Sequence, residues 1–234
     1  MTELIARIDS VATLRSSGAG GVPEPAALAV LAELGGADAV SAHLRENRSQ
    51  IRDRDLRLMR EIVHIPVVLE MSATSAMIGA ALELKPNRVF LVSEDWEVRS
   101  PEGSLDLIVH REQAAEAIRI LTDAGISVGV CIEADPEQIR IAHRIEATAV
   151  QVETAFLEHS EHSLSRIMDA AKLARKLKMP FIAGTDVTPA RMKRLRAMEE
   201  VDGVVMGHSL VAMALMKGMP EVVREMLSML NGRR

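Results

Sequence analysis

The feature that most constrains this chain is the regular alternation of short apolar runs with longer amphipathic segments. Runs of strand length fall at residues 4–9, 39–43, 67–71, 88–92, 127–132, 147–153, 180–184 and 203–207. Between them lie segments of helical period at 25–34, 53–63, 75–84, 111–124, 136–144, 163–178 and 189–198. Strands interleaved with helices form parallel βαβ units, and eight such units close into a barrel of about 250 residues. At 234 residues, with no linker, low-complexity stretch or charge block to divide it, the chain reads as a single (β/α)8 TIM-barrel domain over residues 1–234. Helix starts are chemically marked where Asp135 precedes Pro136 and Thr188 precedes Pro189. Glycines in Gly35-Gly-Ala-Asp38 and Asp123-Ala-Gly-Ile126 mark where a helix reverses into the next strand. Residues 95–106, aperiodic and following the fourth strand, read as a long loop over the barrel mouth and a candidate lid.

In such barrels, side chains at the carboxyl ends of the strands face the active site. Val40-Ser-Ala-His-Leu-Arg-Glu-Asn-Arg48 and Val67-Val-Leu-Glu-Met71 end apolar runs in His43 with Arg45, and in Glu70. An imidazole, a guanidinium and a carboxylate at one mouth are groups that move protons and hold an anion, and they predict general acid/base catalysis by His43 and Glu70. The alternative is a buried structural pair, which would carry the cost of burying ionisable groups for no chemical return. Arg45 has its own plain alternative, a surface pair with Glu46. Asp202-Gly-Val-Val-Met-Gly-His-Ser-Leu210 reads as the eighth strand running into a helix that opens at Gly207 and His208. With Ala183-Gly184-Thr185 after the seventh strand it forms the pair of turns that binds phosphate in many barrels, where first-turn amides and the helix dipole favour an anion. His208 acting only as a helix cap is the plainer reading of that residue.

Composition excludes several function classes. No apolar run approaches the roughly 20 residues of a spanning helix, and the first nine residues mix acid and base into their apolar stretch, unlike a signal peptide. A soluble cytoplasmic protein with no membrane partner is the expectation. A net charge of −5, no Tyr, one Trp and three Phe argue against a nucleic-acid partner, which needs clustered cations or aromatic platforms; 191–196 reads as a solvated basic helix face. The lone Cys131, within an apolar run, reads as a buried structural thiol. Glu158, His159, Glu161 and His162 resemble a loose metal cluster but lack a second ligand pair at matched spacing, so no metal site is assigned.

The motifs resemble those of the pyridoxine 5′-phosphate synthase family across almost the whole chain. Carrying the likeness are Ile8-Asp-Ser-Val-Ala-Thr-Leu-Arg15, His43-Leu-Arg-Glu-Asn-Arg48, Asp53-Arg-Asp55, Leu69-Glu-Met71, Lys85-Pro86, Leu91-Val92, Glu102-Gly103, Leu105-Asp106 and Gly207-His208. The resemblance implies condensation of 1-deoxy-D-xylulose 5-phosphate with 3-amino-2-oxopropyl phosphate, releasing phosphate and water, without metal or organic cofactor, in a homo-oligomer. It puts His43 and Glu70 on the family's general bases, Arg45 and Asp9 on contacts to the sugar phosphate, and Gly207 and His208 on contacts to the amino-ketone phosphate. Gly184 and Thr185 lie in the seventh-strand turn.

This chain also departs from the family. Arg7 and Ser10 stand where the family has Asn and His, Gly18 where an arginine binds the second phosphate, Gln50 where a histidine touches the sugar phosphate, and Ser100 where a loop threonine stands. Thr185, beside Asp186, replaces the family's histidine proton donor. A threonine hydroxyl does not titrate near neutral pH as imidazole does, and losing a general acid costs about 10²–10⁴ in rate. Two classes therefore follow: a synthase-like enzyme on a phosphorylated ketose, divergent in substrate or reaction, or a non-catalytic paralogue that binds a phosphometabolite. The retained His43 and Glu70 favour the first, and the changed seventh-strand turn predicts poor synthesis of the parent product.

Overall fold

The structure is a computed structural model describing residues 2–18, 21–93, 103–154, 161–185 and 187–232. Eight strands, β1 (Glu3–Arg7), β2 (Ala39–His43), β3 (Val67–Met71), β4 (Arg88–Leu91), β5 (Ser127–Ile132), β6 (Val150–Glu153), β7 (Phe181–Gly184) and β8 (Gly203–Met206), pair in sequence order into a closed barrel. Every pairing is parallel, including the closing pair β1 with β8. The connecting helices are α1 (Asp9–Ser17), α2 (Pro25–Gly35), α3 (Asp53–Ile62), α4 (Ser75–Leu84), α5 (Arg111–Asp123), α6 (Pro136–Arg144), α7 (Glu161–Lys176), α8 (Pro189–Leu195), α9 (His208–Lys217) and α10 (Met219–Asn231). The barrel class read from the alternation is the observed one.

The local signals act as chemistry requires. Asp135 accepts from the Glu137 amide at 2.6 Å and Thr188 from the Arg191 amide at 3.3 Å, so both caps satisfy first-turn donors left unpaired by helix geometry. Gly36 ends α2 in the left-handed region at φ 99°, where a side chain would be strained.

Because strand side chains alternate, each strand serves two layers. Ile5, Ala39, Val68, Phe90, Ala149, Ile182 and Val205 fill the barrel interior, while residues such as Leu4, Val40, Leu69 and Val150 pack outward against the helices. Phe90 takes the space that Gly129 leaves, since a Cβ on Gly129 would lie 2.4 Å from the Phe90 ring. Two residues further along β1, β3, β5 and β6 the interior changes character. Ile5 leads to Arg7, Val68 to Glu70, Gly129 to Cys131, and Ala149 to Gln151 and then Glu153. The carboxyl end of the barrel is polar on the same inward face that is apolar below.

Several elements differ from those read in the sequence. Asp9 does not end the first strand but opens α1, a helix that buries Val11, Ala12 and Arg15. β6 starts at Val150 rather than 147, and α10 was not anticipated. The helix α10 buries Met219, Val222, Val223, Met226 and Leu230, a helical stripe that lies beyond the last strand. It packs on α2 so closely that a Cβ at Gly35 would sit 2.6 Å from the Val223 Cβ. Gly35 thus serves helix approach, and the turn itself falls to Gly36.

Candidate active site

His43 and Glu70 are register partners on neighbouring parallel strands, so their side chains leave the sheet on one face, the interior face shared with Ala39 and Val68. Both are buried, His43 at 5% exposure and Glu70 at 1%. Between them and β1 runs a charged chain. Arg7 Nε meets Asp9 Oδ2 at 2.5 Å, Arg7 Nη2 lies 3.1 Å from Glu70 Oε2, and Asp9 Oδ1 accepts the His43 backbone N–H at 2.8 Å. Four groups from β1, α1, β2 and β3 therefore form one cluster at the barrel mouth. Glu70 Oε1 is buried and has no hydrogen bond of full geometry among the described residues, the Gln151 side chain acting on the carboxylate only as a weak donor that lowers its proton affinity.

The cluster sets proton affinities. Burial pushes His43 down to about 3, the Arg7 and Arg45 charges adding to the effect and Asp9 opposing it, so the imidazole is neutral at physiological pH. Burial pushes Glu70 up from the ordinary carboxylate value, with Arg7 pulling the other way and Asp9 pushing further up. Burial would lower the Arg7 guanidinium, but Asp9 and Glu70 outweigh it and hold it above its ordinary value. The raised proton affinity makes Glu70 the stronger base of the two, while neutral His43 can relay a proton by gaining one at one ring nitrogen as it loses one from the other.

The remaining sequence candidates fall into two groups. Arg45 is half-buried after β2 and its charge reaches both His43 and Glu70; its Nε lies 3.4 Å from Gln50 Oε1, while Gln50 Nε2 donates to Thr13 Oγ1 at 2.9 Å. Glu46 accepts from Ser72 at 2.7 Å and Thr74 at 3.0 Å. Ser10 sits half-buried in the first turn of α1. At the adjoining part of the rim, Gly184, Thr185, Gly207 and His208 gather at the ends of β7 and β8. Gly207 precedes α9 as its cap residue, so the exposed His208 is the first helical residue and not the cap. A Cβ on Gly207 would lie 3.5 Å from Arg7 Cδ and from the Thr185 carbonyl, which joins this rim to the charged cluster. Arg7, which stands where the family has an asparagine, has its guanidinium engaged by two carboxylates. Gly18 ends α1 with nothing within 4 Å of where a Cβ would be. Ser100, Asp186, most of the candidate lid and the 158–160 part of the loose metal cluster lie outside the described residues. Ser93 N–H donates to the Gly103 carbonyl at 2.9 Å, so the two described ends of that lid segment meet.

One mouth residue was missed by sequence reasoning. Glu153 ends β6 at 6% exposure, and its carboxylate accepts from the Thr154 amide at 2.7 Å, the Thr185 amide at 3.1 Å and the Thr185 hydroxyl at 3.0 Å. Its inward phase, in step with Ala149 and Gln151, was the available signal, but the residue reads as the end of one more apolar run. Cys131 lies buried in the same interior; burial first, then the Glu153 and Glu70 charges, push its thiol well up, so it is a neutral packing group.

The sequence profile described as pyridoxal phosphate biosynthesis protein PdxJ matches residues 4–232. The chain belongs to the PdxJ family. It is 41% identical to the pyridoxine 5′-phosphate synthase of Desulforapulum autotrophicum, over 99% of each chain, and 40% identical to that of Desulfatibacillum aliphaticivorans, over 98% of each. Its fold also matches KGPDC from Streptococcus mutans with a TM-score of 0.71 at 10% identity, covering 98% of this chain and 97% of that one. At that identity the likeness speaks for the barrel alone. Membership of the PdxJ family makes the chain a pyridoxine 5′-phosphate synthase-like enzyme. No helix among the described residues is long and apolar enough to cross a membrane.

Proposed function

We propose that this PdxJ-family enzyme condenses a phosphorylated ketose of the 1-deoxy-D-xylulose 5-phosphate type with an amine, using His43 and Glu70 as its general bases, and that its second substrate differs from the parent amino-ketone phosphate. The observation that carries the reading is the asymmetry of the mouth. On the β1–β3 side, the paired bases, Asp9 and Arg45 are all present and mutually placed. The asymmetry is between the two substrates' contacts, since for the second phosphate Gly18 offers no cation and Arg7 is already neutralised by Asp9 and Glu70.

In this mechanism Arg45 and Gln50 hold the ketose phosphate, and the open Glu70 Oε1 takes the proton released as the carbonyl carbon and the amine condense. Neutral His43 shuttles a second proton between substrate oxygens during elimination of water. Neither step requires a metal, because each charge that develops is met by a proton transfer to a neighbouring base. The amide-rich turn at Gly207 and Thr185 receives an anionic group of substrate or released phosphate.

The test is an assay of 1-deoxy-D-xylulose 5-phosphate with 3-amino-2-oxopropyl phosphate and, separately, with uncharged aminoketones. Ketose consumption with an uncharged aminoketone, and little pyridoxine 5′-phosphate from the parent pair, is the expected pattern. The triple variant Ser10→His, Gly18→Arg, Thr185→His recovers parent activity. Efficient synthesis of pyridoxine 5′-phosphate by the unmodified chain refutes the divergence. Binding of the ketose phosphate with no consumption by any amine favours instead the non-catalytic phosphometabolite-binding paralogue.

A further inference from the structure

We infer that Arg7 is a positioning residue for Glu70: clamped by Asp9, its guanidinium holds one carboxylate oxygen of Glu70 and leaves the other, Oε1, as the atom that takes the substrate's proton. The inference rests on the general-base reading of Glu70 above and adds to it what orients that base.

The geometry has three links. Asp9 sits in the first turn of α1, where one oxygen accepts the His43 backbone N–H at 2.8 Å and the other accepts Arg7 Nε at 2.5 Å, so both its oxygens are committed before any substrate arrives. A guanidinium is planar, and a bond at Nε fixes the plane in which its other two nitrogens lie. Arg7 Nη2 is thereby brought to 3.1 Å from Glu70 Oε2. Across the same carboxylate, Oε1 is buried and has no hydrogen bond of full geometry among the described residues. A cation on one oxygen thus makes the two oxygens of the base unequal. The family has an asparagine at this position, which brings no charge to the base, so the pairing comes with this chain's departure from the family pattern.

Burial favours the protonated form of Glu70, in which it cannot act as a base, and Asp9 favours it further. Arg7 is the largest influence in the other direction, with Gln151 on β6 and Arg45 after β2 assisting. From β2 and β5, Glu70 is faced by the neutral His43 imidazole and the neutral Cys131 thiol, with Glu153 on β6 beyond Cys131. The same guanidinium that orients the carboxylate therefore also keeps it ionised. In the reaction step the N–H bond of the condensing amine breaks, its electron pair stays on nitrogen, and the proton forms an O–H bond at Oε1. Arg7, held above its ordinary proton affinity by Asp9 and Glu70, keeps its own protons throughout.

Infrared difference spectra across a pH titration, with those of Glu70→Gln subtracted, follow the Glu70 carboxyl without requiring turnover. Arg7→Met keeps the length of the stem and removes the charge, and Arg7→Asn installs the family residue, so the test stands if one of the two fails to fold. In both, the Glu70 midpoint rises by about one pH unit or more, while Arg7→Lys, which keeps the charge, returns it most of the way. On whichever amine supports turnover, Arg7→Met and Arg7→Asn move the acid limb of kcat to higher pH and leave KM for the ketose phosphate unchanged. Arg7→Lys brings the limb back but not the plateau kcat, because an ammonium is a point charge that fixes no plane. Loss of a direct substrate contact would instead raise KM at every pH and leave the midpoint in place. A midpoint unchanged in folded Arg7→Met or Arg7→Asn overturns the inference, and full plateau kcat in Arg7→Lys overturns its orienting half. A raised midpoint in a protein that consumes no ketose phosphate with any amine upholds the clamp on Glu70 and overturns the synthase reading on which its use as a base depends.

Discussion

Removing the Asp55 carboxylate will test the clamp that holds the loop bearing Arg45 and Gln50. Asp55 is fully buried in α3, and both its oxygens accept from Arg15 of α1 at 2.7 Å, Arg15 itself being 5% exposed. Arg15 Nη2 also donates to the Gln50 carbonyl at 2.9 Å, and Asp55 Oδ2 accepts the Arg52 amide at 2.9 Å. The pair thus ties α1, α3 and the loop bearing Arg45 and Gln50 into one unit. Asp55→Ala strands a buried guanidinium. Glu24, at 3.8 Å, is too distant to replace a bidentate contact without movement. Losing one partner of a buried pair costs about 3–5 kcal/mol. At roughly 2–4 °C per kcal/mol for a chain of this size, Tm falls by about 6–20 °C. The double variant Arg15→Met, Asp55→Leu regains most of that loss, since replacing both charges with apolar groups is often close to neutral. It does not restore the tie to Gln50, so its Kd for ketose phosphate stays weakened. Thermal melts of the unmodified protein, both single variants and the double variant give the coupling energy, and calorimetry gives the affinity. A loss below about 1 kcal/mol in Asp55→Ala, or strictly additive single changes, would refute the clamp.

Further expectations concern the bases, the anion turn and the helix layer. His43→Ala and Glu70→Gln leave the fold intact and lower kcat by about 10²-fold or more, measured on whichever amine supports turnover; a loss under tenfold in either removes it from catalysis. Burial raises Glu70, and its carboxylate form is lost as pH falls through that raised value, so the acid limb of kcat/KM lies above pH 4.5; no limb belongs to His43 near 6.5, since it stays neutral down to about 3. The depressed His43 value also makes stability that is complete above pH 6.5 decline as pH drops towards 3, and His43→Asn flattens that decline in pH-dependent melts. Sulfate at about a hundred times its Kd adds about 2.7 kcal/mol to stability through the Gly207 turn, seen as a raised Tm, and an unchanged Tm at millimolar anion means that the turn is closed. Gly35→Ala, whose Cβ would meet Val223 at 2.6 Å, lowers stability by about 1–3 kcal/mol, whereas a neutral result would mean that α10 yields freely.

The barrel was legible in the sequence because hydrophobic period and turn chemistry are local. Strands β2, β3 and β5 and helices α4 and α6 begin and end where the residue pattern alone puts them. Asp135, Thr188, Gly36 and Gly125 act within a few residues of themselves, and no distant contact is needed to read them. His43 and Glu70 were legible too, as ionisable residues at the ends of apolar strands.

Relations between strands were not legible. Period tells that a residue alternates, but only the closed sheet fixes which phase faces the interior, and so puts Glu153 into the mouth with Thr185, which stands 32 residues further along the chain. In the sequence Arg7 is a candidate substrate contact that stands where the family has an asparagine. In three dimensions it is the cation between Asp9 and Glu70, which opposes the rise that burial imposes on Glu70 and adds to the fall at His43. Arg15 and Asp55 stand in motifs 40 residues apart, and only packing turns them into one clamp. Local sequence sets backbone preference and the end of each strand, whereas proton affinity and charge pairing depend on distances and burial that exist only once the barrel closes.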